Sequence, residues 1–426
     1  MLMQETQNDD SDTKTEEARS FLGRMGHSYG VLKIRNFRYL FLSNICIHFA
    51  QWCQSIGLGW LVLEITGSAA QMGGIVATQG FSLLISSPFA GVLSDRVHRR
   101  TLLMVTTSIN AAQALSLATL VATGYGHLWE LYVFAIVGGM ANAVTQPVRQ
   151  AFVYDAVGRE AVARAVPVNN LAQSGSRVLG PAFAGMVIGF TGGSSSAFYV
   201  QGVLALMAIL ITSRIGVTAQ VRSAGGVKES PFKTLTQGLR YVAGNPSLRG
   251  QVIVQIIPAL LVYPYVQFLA FFAAHLHGGP QTYGLLASGA GYGGVVALFI
   301  LTTLGEVKHK GRVMFAAVIG YPVSVALFTL SPVVSLAMVF LMINGFCNQI
   351  YTAMQNTMFL LGAREDMRGR VMGIYSMIQG LGPIGQLCMG FAIATWGPDR
   401  AVLWFEIAAI ILLSITCVFS KTVREA

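Results

Sequence analysis

The sequence predicts an all-α membrane protein with twelve transmembrane helices in two six-helix bundles. Of its 426 residues, 54% are hydrophobic and only 11% are charged, whereas about 25% are charged in a typical soluble domain. The apolar stretches are long and do not alternate with polar residues, which favours helices over the strands of a barrel. The placement of the basic residues and a resemblance between the two halves of the chain also support this fold class.

Twelve apolar stretches give the predicted spans. A transmembrane helix needs about 20 apolar residues, and each stretch is close to that length. The spans are predicted at 39–62, 71–93, 101–122, 129–150, 167–190, 196–214, 250–272, 281–304, 313–330, 333–360, 371–395 and 401–420.

The basic residues set the topology. All of the 28 Lys and Arg residues except Arg177 and Arg400 fall in or beside every second gap between spans. Because cytoplasmic loops retain Lys and Arg whereas translocated loops lose them, both termini are predicted to be cytoplasmic. Tryptophans near the outer ends of the spans favour the same orientation, at Trp60, Trp129, Trp396 and Trp404.

A polar segment at 215–249 divides the chain into two halves of six spans each. The Leu-Gly-Pro run at 179–181 recurs at 381–383, and Gln150 recurs as Gln355, so that matching residues are 202 to 205 positions apart. Six spans per copy give both copies the same orientation. This pattern indicates a parallel repeat about an axis along the membrane normal.

We therefore expect five segments along the chain. The polar opening predicts a disordered cytoplasmic tail, and the central polar segment predicts a cytoplasmic linker that contains an amphipathic helix. The expected segments are the tail at 1–34, the N-terminal bundle at 35–214, the linker at 215–249, the C-terminal bundle at 250–420 and a cytoplasmic tail at 421–426.

Four short motifs indicate a family. The run GVLSDRVHRR at 91–100 resembles the loop signature of the major facilitator superfamily, although His98 replaces its usual glycine. Three segments resemble the drug and siderophore exporter branch, the group of the enterobactin and macrolide exporters: QWCQSIGLGWLVLEITGS at 51–68, QPVRQAF at 146–152 and REDMRGRVMGIYS at 364–376. The resemblance covers residues 35–420. It implies the major facilitator fold and export by alternating access.

By this resemblance, the loop after the second span belongs to a cytoplasmic gate. Asp95 would meet Arg149 and the start of the eleventh span near Val371 when the protein is open outward, holding the two halves together. The predicted gate residues are Gly91, Asp95, Arg96, Arg99, Arg100 and Arg149. The alternative is that the arginines of this loop only follow the positive-inside rule.

Polar residues form a line along the first span. Asn44, His48, Gln51 and Ser55 are spaced by four, three and four residues, so they share one helix face, which Trp52 adjoins. The resemblance implies that the first, fourth, seventh and tenth helices line a central substrate cavity. Further cavity residues are predicted on other spans: Asn142, Gln146, Gln255, Asn344, Asn348, Tyr351 and Gln379. The alternative is that these amides only hydrogen-bond between helices, at roughly 0.6 kcal/mol each.

One arginine lies about halfway through the fifth span. A centrally placed arginine costs roughly 2.5 to 3.5 kcal/mol on insertion scales, so Arg177 is expected to have a function. It is predicted to contact an anion or a dipole in the cavity. A structural alternative is a ring of backbone carbonyls or a partner across the halves.

Two residues are candidates for carrying a proton. Glu406 lies inside the twelfth span and is the most deeply placed carboxylate, and His48 lies near the middle of the first span. Histidine ordinarily titrates near neutral pH. The alternatives are that Glu406 reaches the membrane interface and that His48 is only a hydrogen-bond donor.

The resulting prediction is a secondary active exporter in the inner membrane of a bacterium. We expect it to move an amphipathic small molecule outward as a monomer, with protons as the coupling ion and membrane lipids as its surroundings. A lipid or lysophospholipid carrier of the same fold is the first alternative, and a membrane enzyme or non-transporting sensor is the second.

Several other classes of site are not indicated by the sequence. No phosphate-binding loop for ATP is present, and the five cysteines lack metal-ligand spacing. Neither a metal nor a cofactor is predicted. The basic residues are distributed from loop to loop beside membrane ends, which favours lipid headgroups over nucleic acid as their partners.

Overall fold

The computed structural model describes residues 30–158, 160–216, 231–304, 307–365 and 367–419. Within these ranges, the side chains of residues 91, 92, 94–96, 231–235 and 304 are not described. The predicted tail at 421–426 lies outside the described residues, as does most of the tail at 1–34. Residues Gly30–Lys33, within the predicted tail, form a 3-10 helix whose Val31 is buried.

The described residues fold into helices joined by short loops. The helices are α1 (Arg35–Thr66), α2 (Ala69–Arg96), α3 (Arg99–Ala122), α4 (Leu128–Val157), α5 (Val162–Thr191), α6 (Ser195–Ser213), α7 (Pro231–Gly244), α8 (Pro246–His275), α9 (Pro280–Leu304), α10 (Lys310–Thr329), α11 (Val334–Gly362), α12 (Arg368–Trp396) and α13 (Pro398–Phe419). Each predicted span lies on a helix of its own, and the helix expected in the linker is α7.

Nine of the described helices are long and apolar enough to cross a membrane: α3, α4, α6 and α8 to α13. The helices α1, α2 and α5 are of similar length, at 32, 28 and 30 residues. All three carry polar side chains within their apolar stretches. The chain is therefore a multi-pass membrane protein built from helices.

Helix α8 changes its helical type halfway along. Its first part is α-helical, Pro258–Val262 form a π turn, Tyr263–Phe268 form a 3-10 turn, and the last part is α-helical again. Proline lacks the N–H that an α-helix needs, so Pro258 and Pro264 account for part of this interruption. Helix α12 is interrupted at residues 380–381, just before Pro383. Both helices therefore depart from regular α-helical geometry within their spans.

The pattern of helix packing occurs twice. In the first half of the chain, α1 packs on α5 and α6, α3 packs on α4 and α6, and α2 packs on α4. The second half has the corresponding contacts, since α8 packs on α12 and α13, α10 packs on α11 and α13, and α9 packs on α11. Contacts between the halves are dominated by α2 against α12 and α5 against α9.

We call the end of the molecule that carries α7 the linker side and the opposite end the far side. On the linker side, Arg99 at the start of α3 forms a 2.7 Å ion pair with Asp155 of α4. On the far side, His275 at the end of α8 pairs with Asp399 of α13 at 2.8 Å. These contacts join helices within one half of the chain.

The apolar core is shared on the far side and divided on the linker side. The largest cluster of buried apolar residues contains side chains from both halves, including Ile56 of α1 and Phe272 of α8. A second cluster, around Phe152, contains residues of the first half. A third cluster, around Phe359, contains residues of the second half. The halves are therefore packed together at the far side and have separate cores at the linker side.

Two glycine crossings bring the halves together at the far side. Gly185 of α5 lies against Gly284 of α9, and Gly73 of α2 lies against Gly390 of α12. A Cβ atom added to Gly185 would lie 2.5 Å from the carbonyl oxygen of Pro280, and one added to Gly73 would lie 2.7 Å from a carbonyl oxygen of α12. Both separations are too short for a side chain, so these crossings require glycine.

Candidate functional site

Two cavities lie between the halves of the chain. The first has a volume of about 270 Å³ and is bounded mainly by α1, α2 and α4. Its lining is Gln51, Gln54, Ser55, Leu58, Met72, Val76, Gln79, Leu83, Asn142, Gln146 and Gln267. Four predicted cavity residues therefore meet here, two from α1 and two from α4. The amides give this cavity a polar, uncharged surface.

The second cavity has a volume of about 340 Å³ and is bounded by α1, α5, α8, α9 and α11. Its lining is Trp52, Ser174, Arg177, Val266, Ala287, Ala290, Gly291, Gly294, Val295, Leu298, Gly345, Asn348 and Gln349. Three predicted cavity residues, Trp52, Arg177 and Asn348, come together in it. Neither lining contains a described acidic residue, and Arg177 is the one described arginine or lysine in them.

The second cavity begins where the packing of α5 against α9 ends. The two helices are in contact from Gly185 and Gly284 down to the point where Gly291 lies against the backbone of Arg177. Farther toward the linker side, Ser174 of α5 and Val295 of α9 both line the cavity. The cavity therefore opens between these two helices as well as toward the centre of the molecule.

Other predicted cavity residues in the first half form hydrogen bonds between helices. The guanidinium of Arg149, on α4, donates to Oδ1 of Asn44, and Nδ2 of Asn44 donates to Oδ1 of Asn169 on α5. Asn44 is fully buried and Arg149 nearly so. His48 is also buried, and its Nδ1 lies 3.2 Å from Oε1 of Gln51. These bonds tie α1 to α4 and α5.

Corresponding bonds occur in the second half. The Tyr265 hydroxyl of α8 donates to Oδ1 of Asn344 at 2.8 Å, and Nε2 of Gln255 donates to the carbonyl of Tyr375 at 3.2 Å. The hydroxyl of Tyr351 donates to a carbonyl of α8 at 3.4 Å. These buried residues join α8 to α11 and α12. Gln379 is exposed at the interruption of α12.

The described gate residues bond within the first half. Besides the Arg99 pair with Asp155, Arg100 donates to the backbone carbonyl of Ser213 at the end of α6. Arg149 is turned toward Asn44, and Val371 is buried in the core of the second half. Among the described residues, Arg149 therefore forms no hydrogen bond or ion pair with α12 in this conformation. The side chains of Gly91, Asp95 and Arg96 lie outside the described part of the structure.

Arg177 has no hydrogen-bond or ion-pair partner among the described residues, and its side chain is exposed. It lies within electrostatic range of His48 on α1 and Tyr263 on α8. An unpaired guanidinium offers five N–H donors in a planar array that suits carboxylate, sulfonate and phosphate groups. This site can therefore bind an anion.

Glu406 lies on α13, away from both cavities. Its side chain is 0% exposed, and neither carboxylate oxygen has a hydrogen-bond partner among the described residues. It lies within electrostatic range of Tyr265 on α8 and Tyr321 on α10. An ionised carboxylate buried without a partner is strongly unfavourable.

Sequence reasoning missed several polar residues around these sites. Gln54, Gln79 and Gln267 line the first cavity, Asn169 completes the bonds of Asn44, and Asp155 pairs with Arg99. For Gln79 and Gln267 the signal is a polar residue inside an apolar stretch, which indicates a contact without identifying the partner.

A larger cavity, of about 970 Å³, lies on the linker side within the first half of the chain. It is lined by α3 and α4, with Arg99, Arg100 and Asp155 at its polar end and Met104 and Ile109 at its apolar end. It is separate from the cavities between the halves, since its lining contains residues of the first half alone.

Solved structures of transporters have the same fold. A variant of the nucleoside transporter NupG superimposes with a TM-score of 0.76 at 12% identity, covering 90% of this chain and 99% of that one. A bacterial homologue of the human lysosomal transporter Spinster, in an inward-facing and occupied conformation, gives a TM-score of 0.70 at 14% identity, covering 91% and 96%. The chain therefore has the fold of these transporters.

Proteins similar to this chain in sequence are transporters of drugs or siderophores. The multidrug efflux pump Tap of Mycolicibacterium fortuitum is 24% identical over 380 residues, or 87% of this chain and 92% of Tap. The staphyloferrin A transporter of Staphylococcus aureus is 22% identical over 388 residues, covering 90% and 95%. The enterobactin exporter EntS of Salmonella choleraesuis is 22% identical over 351 residues, covering 80% and 81%.

A family model described as transmembrane secretion effector matches residues 27–424. The chain therefore belongs to the transmembrane secretion effector family, within the drug and siderophore exporter branch of the major facilitator superfamily. Members of this family are membrane transporters, and the resemblance stated from the sequence motifs is confirmed.

Proposed function

We propose that this protein exports an amphipathic small molecule from a bacterial cell, as a secondary active transporter of the inner membrane. The exporter would have twelve spans, α1 to α6 and α8 to α13, in two bundles at 35–214 and 250–420. The linker side would face the cytoplasm with both termini, because the basic loops lie there. The efflux pump Tap and the exporter EntS among its relatives support the outward direction.

The observation that carries the proposal is the contrast between the two sides of the molecule. A shared core and two glycine crossings join the halves at the far side, whereas the linker-side cores are separate. This arrangement fits an inward-facing conformation. Two similar bundles that rock about a central site supply the outward-facing counterpart.

Closing the linker side would form the proposed gate. In the outward-facing state, Asp95 would meet Arg149 and the start of α12 near Val371, with Gly91, Arg96, Arg99 and Arg100 holding the loop. Arg149 would have to leave Asn44, to which it is bonded in this conformation. The gate would therefore exchange one set of buried hydrogen bonds for another.

Protons are the proposed coupling ion, with Glu406 and His48 as the candidate carriers. Glu406 is buried without a hydrogen-bond partner among the described residues. Its ionised form is therefore unfavourable in this packing of α13, and loss of the proton would favour a different packing. His48 lies beside the first cavity through its contact with Gln51. We propose that the transporter acts as a monomer among membrane lipids.

Transport measurements in inverted membrane vesicles test this function. A panel of drugs and siderophores would be offered with and without an imposed pH gradient, using vesicles without the protein as the control. Uptake that needs both the protein and the gradient is the expected result. Uptake that needs the protein alone would remove proton antiport, and no uptake of any compound would oppose the export function.

A lipid or lysophospholipid carrier is the second candidate function. The cavity between α5 and α9, which both Ser174 and Val295 line, favours it because a lipid would enter from the side. Transfer of a labelled lysophospholipid between vesicle leaflets, with no efflux of drugs, would identify this function.

A further inference from the structure

The opening between α5 and α9 combines a cationic group with apolar walls. Arg177 lines it next to Gly291 of α9, which lies against the backbone of Arg177. Val295 and Leu298 of α9 continue the wall toward the linker side, and both side chains are exposed. A molecule entering here would meet apolar side chains first and the guanidinium next.

The charges around the opening favour an anion. The guanidinium of Arg177 is exposed and unpaired among the described residues, whereas Arg149 is buried and bonded to Asn44. No described acidic residue lines either cavity between the halves. The buried acid Glu406 belongs to α13 and lies outside both linings. An arginine placed at this depth is unfavourable unless a partner compensates its charge.

The remaining walls suit an aromatic or aliphatic body. Trp52 of α1 and Val266 of α8 face the same cavity, and Asn348 and Gln349 of α11 add amide groups at its inner end. The cavity volume of about 340 Å³ matches the lower end of the range for small-molecule sites. Tryptophan also provides a flat surface against which a ring can stack.

We propose that the cavity between α5 and α9 binds an amphiphile with one anionic group, which is held by Arg177 while its apolar body lies against Trp52, Val295 and Leu298. The same opening admits the ligand from the lipid layer on the linker side. This assignment of a substrate class rests on the proposed export function, although binding itself can be measured separately. The anionic amphiphile can be a drug-like or siderophore-like compound, or it can be an anionic lysophospholipid.

A matched pair of fluorophores tests the charge requirement. Anilinonaphthalene sulfonate and phenylnaphthylamine share an aromatic skeleton, but only the first carries a sulfonate. Each would be titrated into purified protein in lipid nanodiscs, with empty nanodiscs subtracted, and binding followed by quenching of tryptophan fluorescence. The variant Trp52→Phe identifies the part of the signal that comes from this cavity, because none of the other four tryptophans lines it.

We expect Arg177→Gln to weaken binding of the sulfonate at least tenfold and to leave binding of the neutral compound unchanged. Arg177→Lys should keep part of the affinity, since lysine retains the positive charge but lacks the planar array of N–H donors of the guanidinium. Gln173→Ala, on the same helix outside the cavity lining, is the control and should bind like the wild type. Equal sulfonate binding by the wild type and Arg177→Gln, or no quenching from Trp52, would overturn the proposal.

Transport distinguishes this proposal from the export function itself. In inverted vesicles, Arg177→Gln should lose transport of the sulfonate while it still transports the neutral compound. If the wild type moves neither fluorophore nor any member of the drug and siderophore panel, export fails, while the binding titration still decides the anion site. If lysophosphatidylglycerol competes with the sulfonate for binding and anionic siderophores do not, the natural ligand is a lipid. If only the siderophores compete, the natural ligand is a soluble compound.

Discussion

Replacing Gly185 with alanine tests whether the glycine crossings hold the far side closed. The added Cβ would lie 2.5 Å from the carbonyl oxygen of Pro280 and 2.9 Å from the Cα of Gly284. An ordinary contact of this kind is about 3.4 Å or longer. The obstructing atoms belong to the backbone of α9, which cannot rotate away as a side chain can. Helices α5 and α9 therefore have to separate by almost one ångström.

This overlap predicts a measurable change in the conformational equilibrium. Overpacking of a tight contact costs about 1 to 3 kcal/mol, and the contact is made when the far side is closed. The population of that state should therefore fall about fivefold to 150-fold relative to the outward-open state. Gly175→Ala is the matched control, because it lies on the same helix and its added Cβ would have nothing within 4 Å.

The populations can be measured as distances between two spin labels. Labels would be attached at Gly193, after α5, and at Gly279, before α9, in a protein whose five native cysteines have been replaced. Gly185→Ala should shift the distance distribution to longer values, and Gly175→Ala should match the parent. Identical distributions for the two alanine variants would refute the argument that this crossing closes the far side.

Three further predictions concern charged residues. Asp95→Asn should slow efflux from reconstituted vesicles without reducing membrane insertion, and wild-type rates would contradict the proposed gate. Glu406→Gln should remove the dependence of efflux on the pH gradient. It should leave the melting temperature unchanged or higher, because it replaces a buried acid with a neutral group. Efflux that still depends on the gradient would exclude Glu406 as the proton carrier. Arg99→Gln should destabilise the protein by about 3 kcal/mol because it leaves the buried Asp155 unpaired, and adding Asp155→Asn should restore much of that loss in a double-mutant cycle of denaturation midpoints.

The sequence predicted the helices well because the length of an apolar stretch is a local property. Each predicted span corresponds to a helix, and the helix in the linker was expected from its amphipathic pattern. The π and 3-10 turns of α8 were not predicted in detail. Pro258 and Pro264 indicate where an α-helix is disrupted, but the conformation that replaces it depends on packing against α12 and α13.

The candidate site was predicted in part because helical spacing identifies a shared face. Gln51 and Ser55 of α1 do line one cavity, as their spacing suggests, together with Gln146 of α4. The same spacing does not show which neighbour a residue meets, so Asn44 and Asn344 were assigned to the cavity although they bond between helices in this conformation.

Long-range partners were beyond the reach of the sequence pattern. Arg99 and Asp155 are 56 positions apart and meet because α3 packs beside α4. The exposure of Arg177, and its lack of a bonding partner within the part of the chain that the structure describes, depend equally on the packing of α5 against α9. Such features follow from the crossing of helices in three dimensions and leave no periodic signal in the chain.

Reciprocal motion of the two sides is the most direct test of transport by alternating access. Spin labels at Gly158 and Gly369 report the linker side, and labels at Gly193 and Gly279 report the far side. When the pH or the substrate concentration is changed, the linker-side distance should shorten as the far-side distance lengthens, in the same proportion of molecules. Two distances that stay fixed, or that lengthen together, would contradict the account.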